Sequence, residues 1–335
     1  MKQKLVPVLS SVPDSAFMGR WISKNYGLKG VSCILWEDGV NHTYKIGSRG
    51  SVYFLRVYRP GWRTGRQIDF ELEQLRFLDQ AGIPVASVLP ARNKALKLPL
   101  LLPSGPTHAA LFHAAPGKAP KDIPVLGREL GKVLARMHLV QKKFDRAPRL
   151  LALDEHGLVD APVRLLAPFK ASFGKQWPKL LRIAERIRRQ LRQFRKETPY
   201  YGLIHGDPHS GNVSVNKDGK RYTYFDFDLT TKGWRLFDLA TFIWDFSGNN
   251  KKKRSALRMM VRAYSKISPL ELWELRSFGV MIAARHLWWM GFQASLARHG
   301  GRMVSREAHE WKMKLLKDWD SGKLDRELGI KRLGA

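Results

Sequence analysis

Acidic residues are scarce in this chain of 335. Twenty-nine Asp and Glu stand against 59 Lys and Arg, a formal charge of +30. Such an excess attracts nucleic acid, anionic lipid or acidic protein surfaces, but net charge speaks to non-specific association and not to a site. There is a single cysteine, Cys33, which excludes a disulfide framework and a cysteine-built zinc cluster and fits a reducing cytoplasm. No apolar run is long enough to span a bilayer: the longest, Phe278 to Phe292, is broken by Arg285 and His286. Pro7 and Pro13 interrupt the stretch after Lys2 and Lys4, so no signal peptide is expected. Internal repeats and low-complexity tracts are absent. What remains is a chain with 44% hydrophobic residues, enough for a globular core in one two-lobed unit or two domains.

The informative stretch runs from Tyr201 to Trp244. Leu203 and Ile204 lead into His205-Gly206-Asp207, and Pro-His-Ser-Gly follows before Asn212. Val213 and Val215 alternate with polar residues as a half-buried strand does, and Asp218-Gly219 signals a hairpin. Tyr222 to Phe227 form the returning strand, which ends Asp226-Phe227-Asp228. Asp207, Asn212 and Asp226 thus converge at strand ends. Two carboxylates and one amide oxygen suit magnesium, with one carboxylate left to accept a proton. Phosphoryl transfer from ATP needs this set: an Asp to orient and deprotonate a hydroxyl, an Asn and a second Asp to hold metal on the phosphates. The competing reading is a hairpin whose Asp and Asn are turn formers only.

These residues resemble the aminoglycoside phosphotransferase and choline kinase-like superfamily, a branch of the protein-kinase fold. The matching pieces are His205-Gly206-Asp207 with Asn212, Phe225-Asp226-Phe227, and Asp238-Leu239-Ala240, in that order. The resemblance implies an α+β bilobal fold. Residues 1–115 would form a small antiparallel-sheet lobe with one helix over the nucleotide, and 116–335 a mainly helical lobe with the catalytic loop and acceptor pocket. It implies ATP and Mg2+ as cofactors, Asp207 as the catalytic residue and Asn212 and Asp226 as metal ligands. His205, Asp228 and Asp238 would be supporting residues, Asp238 both capping its helix and bracing the loop. Phe112-His113-Ala114-Ala115-Pro116-Gly117 resembles the hinge, so the backbones of His113 and Ala115 would meet the adenine edge.

Strands are expected at Ser32–Trp36, Thr43–Ile46, Val52–Tyr58, Leu96–Leu102 and Ala109–Ala114, and a short helix around Ser15–Ser23. The turn from Gly39 to Thr43, with Asn41, stands where the resemblance places the phosphate-covering loop, and an ordinary hairpin turn is an equal reading. Arg56 stands where the superfamily carries its phosphate-contacting basic residue, on the face opposite Leu55 and Val57. Arg59 reads as solvated. The amphipathic pattern predicts a helix over Gln67–Gln80 that offers Glu71 as partner to Arg56, with Glu73 as second choice. A helix at Val125–Leu139 carries His138 in a structural role. Residues 141–170 read as loop-rich. Residues 175–197 read as a basic amphipathic helix with Leu180, Leu181, Ile183, Ile187, Leu191 and Phe194 inward. Helices follow from Asp238 to Phe246 and around 252–266, 270–297 and 304–318, the third of these bearing Arg285 and His286 toward the acceptor pocket or on a plain helix face.

The chain departs from the superfamily in lacking glycines in the phosphate loop and in carrying Thr230-Thr231-Lys232 where relatives often have Gly or Asp. The layout is also similar to the bacterial stress-response kinase A group, through Tyr58-Arg59-Pro60 and Asp226-Phe227-Asp228. Three functions stay open: a small-molecule hydroxyl kinase, a Ser/Thr protein kinase of the stress-response type, and a non-catalytic polyanion binder. The short segment between Asp226 and Asp238 favours the first. The excess of basic residues in the C-terminal half argues against a polycationic acceptor.

Overall fold

The computed structural model describes residues 8, 10–146, 151–245, 250–297 and 306–333. Lys2, Lys4, Pro7, Pro148, Phe246 and residues 304–305, used in the sequence reading, lie outside them. The chain divides into two compact units, one ending at Pro116, which Arg146 joins, and the other beginning at Gly117.

The first unit opens with helix α1 (Ser15–Tyr26), capped by the Asp14 side chain on the Phe17 N–H and closed by Gly27 in the left-handed region. Strands β1 (Ser32–Asp38), β2 (His42–Ser48) and β3 (Ser51–Val57) follow as a meander, then helix α2 (Gly65–Gln80), and strands β4 (Val88–Leu89), β5 (Leu98–Leu102) and β6 (Gly105–His113). All pairings are antiparallel, in the order β1-β2-β3-β6-β4, with β5 on β6. Leu55 and Val57 of β3 are fully buried while Arg56 between them faces the other way, the period-2 pattern expected of the strand. Met18, Ile22 and Tyr26 of α1 pack on Tyr44, Ile46, Leu55, Val57, Leu98 and Leu111, so the helix expected around Ser15–Ser23 is a second helix on the sheet, where the resemblance implies one. A Thr64–Gln67 capping box starts α2, whose buried face is Ile68, Phe70, Glu71, Leu72, Gln74, Leu75 and Leu78.

The second unit is mainly helical. It contains α3 (Ile123–Gln141), α4 (Ala161–Leu166), α5 (Lys170–Phe173), α6 (Trp177–Leu191), strands β7 (Tyr201–Ile204), β8 (Val213–Val215), β9 (Tyr222–Tyr224) and β10 (Thr231–Trp234), then α7 (Arg235–Asp245), α8 (Asn250–Ser265), α9 (Leu272–Arg276), α10 (Phe278–Ala297), α11 (Arg306–Asp320) and α12 (Lys323–Leu328). Residues 156–170, expected as loop, are helical in short pieces. Asp154 caps them by accepting from the His156 and Gly157 N–H groups at 3.0 and 3.1 Å, and Pro162 and Pro168 sit in first turns, where no N–H is needed. Leu181 is exposed and not inward as read from the sequence, because α6 turns a narrower stripe of Leu180, Ile183, Ala184, Ile187 and Leu191 to the core. The helix expected over 270–297 is two. The carboxylates of Glu271 and Glu274 form a capping box at α9, and Ser277 ends it by bonding the Trp273 carbonyl at 2.7 Å. No helix among the described residues is long and apolar enough to cross a membrane.

Helices α3 and α8 meet backbone to backbone. A Cβ on Gly127 would lie 2.7 Å from the Ala256 carbonyl oxygen, and one on Gly131 2.4 Å from that of Met260. Two glycines one helical turn apart face two residues one turn apart on the partner, so this crossing admits no side chain. Gly131→Ala is expected to destabilise the protein by about 1–3 kcal/mol through forced separation of the helices. Gly202→Ala, which meets nothing within 4 Å, serves as the near-neutral control in urea unfolding.

Candidate active site

In the first unit the Arg56 guanidinium meets Glu71 Oε1 at 2.8 Å, and the Tyr58 hydroxyl donates to Glu71 Oε2 at 3.0 Å. Glu71 is 3% exposed, so its charge is held by two donors in a nearly dry setting. Thr107 in turn fixes Tyr58 by donating to its carbonyl at 2.5 Å. The second-choice Glu73 sits on the surface with Arg146 at 3.0 Å. The sequence reading gave Tyr58 no part in this pair, although its period-2 spacing from Arg56 places it on the same strand face.

Arg59, read as solvated, is committed. Its Nε donates to the Val40 carbonyl at 3.0 Å and its Nη2 to the Gly39 carbonyl at 2.8 Å, while its own N–H donates to Asn41 Oδ1 at 3.2 Å. The reason is the β1–β2 turn, whose carbonyls lack strand partners and take the guanidinium instead. In a trans peptide the N–H of the next residue points opposite to the carbonyl. Turning the Gly39 and Val40 carbonyls onto Arg59 therefore turns the Val40 and Asn41 N–H groups away from it. At the end of β6 the His113 N–H is spent on the Ser87 carbonyl at 2.9 Å and the Ala114 N–H on that of Val52 at 3.3 Å. The next backbone donor along the chain is that of Ala115.

In the second unit the loop after β7 is held from behind by Asp238. Its carboxylate accepts from the His205 N–H at 2.8 Å and the Gly206 N–H at 2.9 Å, and His138 Nε2 contacts it at 3.0 Å. The sequence suggested that Asp238 caps its helix. Helix α7 starts three residues earlier, at Arg235, so Asp238 is already inside it and its oxygens go to the loop. Gly206 has φ +86°, and a Cβ there would lie 2.2 Å from the Leu229 carbonyl oxygen, so only glycine fits. His205 is fully buried against Phe227, ring centroids 4.2 Å apart. Burial holds its pKa below the usual histidine range, against the opposing pull of Asp238, Asp207 and Asp226 nearby.

Asp207 emerges from this loop. Asn212 Nδ2 donates to its carbonyl at 3.0 Å, which fixes the amide so that Oδ1 faces the other way. Asp226, beyond β9, has φ +65°, a left-handed conformation that Asp tolerates and that recurs at functional sites. Asp228 follows on the other side of buried Phe227. Among the described residues no three His, Cys, Asp or Glu side chains gather as a metal cluster. The side-chain oxygens of Asn212, Asp226 and Asp228 are hard donors, the kind that Mg2+ and Ca2+ take. Thr230 and Thr231, which cast doubt on this region in the sequence, donate to the Ile204 and Leu151 carbonyls at 2.8 and 2.7 Å and so serve the backbone.

Sequence reasoning passed over one contact. Arg285 of α10 reaches Asp207 Oδ1 at 2.5 Å, and its guanidinium lies over the rings of Trp244 and Trp288 at 4.4 and 4.7 Å. His209 Nε2 stands 3.6 Å from the other Asp207 oxygen. The available signal was an arginine inside an apolar helix, which is buried only when paired. Its neighbour His286 is structural: it takes the Trp244 Nε1–H at 3.0 Å and bonds the Lys312 carbonyl, and burial lowers its pKa to about 4.

Residues 34–274 match the APH family, described as the phosphotransferase enzyme family. The chain belongs to this family. An uncharacterized protein of Synechocystis is 33% identical over 258 residues, 76% of this chain and 71% of that one. An uncharacterized protein of Deinococcus radiodurans is 31% identical over 318 residues, 94% of this chain and 92% of that one. Among solved structures, a microcompartment-associated aminopropanol kinase superposes with a TM-score of 0.76 at 21% identity, covering 95% of this chain and 99% of that one. An amicoumacin kinase in complex with AMP-PNP, Ca2+ and Ami gives 0.75 at 18% identity, covering 92% and 94%. The protein is a phosphotransferase with the bilobal, protein-kinase-like fold of these neighbours.

The Arg59 clamp yields a prediction. Arg59→Met should free the Gly39–Asn41 turn and weaken ATP binding about tenfold, a loss of ~1.4 kcal/mol. Arg59→Lys should recover part of it. Calorimetric titration with ATP decides the matter: affinity within twofold of wild type in Arg59→Met means that the clamp has no part in nucleotide binding.

Proposed function

We propose that the protein is a Mg-ATP-dependent kinase that moves the γ-phosphoryl group to a hydroxyl of a small molecule. The choice of a small acceptor rests on how residues 227–237 are used. Thr231–Trp234 pair as β10 with β7, and Thr230 bonds the Ile204 carbonyl, so this stretch is committed to the sheet. Little chain is left between Asp226 and Asp238 to serve as the long segment on which typical protein kinases lay a peptide. This disfavours the stress-response-type protein kinase. The amicoumacin and aminopropanol kinases named above are small-molecule kinases by name, which supports the same reading.

In this reading Asp207 orients the acceptor hydroxyl and takes its proton as the new O–P bond forms. The bond from the γ-phosphorus to the bridging oxygen breaks, and ADP leaves with the electron pair. Asn212 Oδ1 and the Asp226 carboxylate would hold Mg2+, which when bound neutralises charge on the phosphates. Magnesium is the fitting ion because these donors are hard oxygens and too few for an all-protein cage. Arg56, steadied by Glu71 and Tyr58, contacts the phosphates, and the turn containing Asn41 covers them. The backbone at His113 and Ala115 meets the adenine edge. His205, Asp228 and Asp238 keep the loop in shape.

Asp207→Asn should leave folding and Mg-ATP affinity intact and lower turnover by roughly 10²- to 10⁴-fold, the usual worth of a proton-accepting group. Asp226→Ala should instead abolish the magnesium dependence of ATP binding. ADP release over a panel of hydroxyl compounds and calorimetry with and without Mg2+ separate the two. Near wild-type turnover in Asp207→Asn sinks the assignment of the base, and unchanged Mg-ATP affinity in Asp226→Ala moves the metal site to Asp228.

A further inference from the structure

Arg285 is the odd residue of its helix. Phe278, Met281, Ile282, Ala284, Leu287 and Met290 of α10 are apolar and buried, and Arg285 is buried among them with 3% side-chain exposure. One of its nitrogens is spent on Asp207. The other two, Nε and Nη1, are buried and reach no hydrogen-bond partner among the described residues. Rings of Trp244 and Trp288 stand against the guanidinium. Stability alone gives no reason to bury a cation with two idle donors, since an apolar residue would fill the same space without the desolvation cost. Unsatisfied polar groups of this kind collect at sites of recognition.

The pair is asymmetric. Asp207 keeps 17% exposure, so a molecule arriving from solvent meets the carboxylate first and the guanidinium edge behind it. Asp207 is already balanced by Arg285 and therefore offers little to an ammonium group. The other carboxylates acting on Arg285 are both spent, Asp245 on the Ser210 N–H at 3.1 Å and hydroxyl at 2.5 Å, and Asp238 on the His205 and Gly206 N–H groups. An ammonium next to the reacting hydroxyl would face the Arg285 charge in a setting of low dielectric, whereas an oxygen anion that draws the guanidinium edge past Asp207 would satisfy its idle N–H groups.

We propose that Arg285 is the acceptor-specificity residue of this enzyme, and that the group it takes is a carboxylate carried beside the acceptor hydroxyl: a hydroxy acid and not an amino alcohol. This rests on the kinase reading above. In the free enzyme Arg285 also positions Asp207, so it acts both through that carboxylate and directly on the acceptor.

The test compares matched acceptors on the full chain by ADP release with Mg-ATP: lactate against 1-amino-2-propanol, and glycolate against ethanolamine. The expected result is a kcat/KM at least tenfold higher for the acid of a pair. Arg285→Met should erase that preference through an acceptor KM raised tenfold or more, with Mg-ATP affinity by calorimetry unchanged, and Arg285→Lys should restore part of it. Preference for the amino alcohols, turnover of neither class, or an acceptor KM within twofold of wild type in Arg285→Met overturns the proposal. Should Arg285→Met fail to fold, the wild-type preference decides alone. A wild-type chain that does not bind Mg-ATP sinks the kinase reading itself, which is a separate outcome from a kinase that prefers amines.

Discussion

The Asp238 carboxylate is the contact on which the loop after β7 depends. It lies in α7 with no exposure and takes the His205 and Gly206 N–H groups on its two oxygens. Hydrogen bonds to a charged acceptor contribute about 1.5–3 kcal/mol each, and leaving the buried donors unpaired costs the full desolvation of each. His138 ties the same carboxylate to α3 and, through its other nitrogen, to Tyr264 of α8 at 2.9 Å. Three helices thus fix one oxygen pair, and that pair fixes the backbone from which Asp207 projects. The close α3–α8 crossing at Gly127 and Gly131 belongs to the same arrangement, since it sets how near His138 and Tyr264 stand.

Acid is scarce in this chain, and the buried part of it is committed. Asp238 goes to the loop, Glu71 to Arg56 and Tyr58, and Glu274 to Arg235 at 2.6 Å. Asp207 goes to Arg285. The excess of Lys and Arg is largely on exposed faces such as that of α6, where Lys179, Arg182, Arg189 and Arg192 are in solvent. The charge of +30 therefore describes the surface, while the buried carboxylates have assigned partners.

The sequence reveals what is local and hides what is assembled. His205-Gly206-Asp207, Asn212 and Asp226 are readable because they stand in fixed order within a short span of chain, in a loop and just beyond a hairpin strand. The placing of Arg56 beside Glu71 follows from a strand face and a helix face, each with its own period. Strand β10 is not readable: Thr231-Lys232-Gly233-Trp234 has no apolar run, and its pairing with β7 is decided by side-chain bonds to distant carbonyls. Residues 156–170 were obscured by their prolines, which look like breakers until they are seen to sit in first turns, where no N–H is needed. Arg285 and Asp207 are far apart in the chain, so no periodicity joins them. The burial of a charge in an apolar helix was the one clue that a partner had to exist.

In the proposed function the turn from Gly39 to Asn41 covers the phosphates with one glycine, Gly39, where such loops usually have several, and the Arg59 clamp would supply the order that further glycines would otherwise give. A glycine-rich loop aims successive N–H groups at an anion by adopting backbone conformations closed to other residues. Here the aiming is done from the side. Arg59 draws the Gly39 and Val40 carbonyls toward itself, and peptide planarity sends the following N–H groups the opposite way. Asn41 closes the arrangement by accepting the Arg59 N–H, so the turn and the clamp hold each other. An arginine cannot be deprotonated under physiological conditions, which makes this a fixed constraint. The loop gives up the adaptability of glycine for a turn already ordered before nucleotide arrives, and the ordering entropy is then met in folding and not in binding.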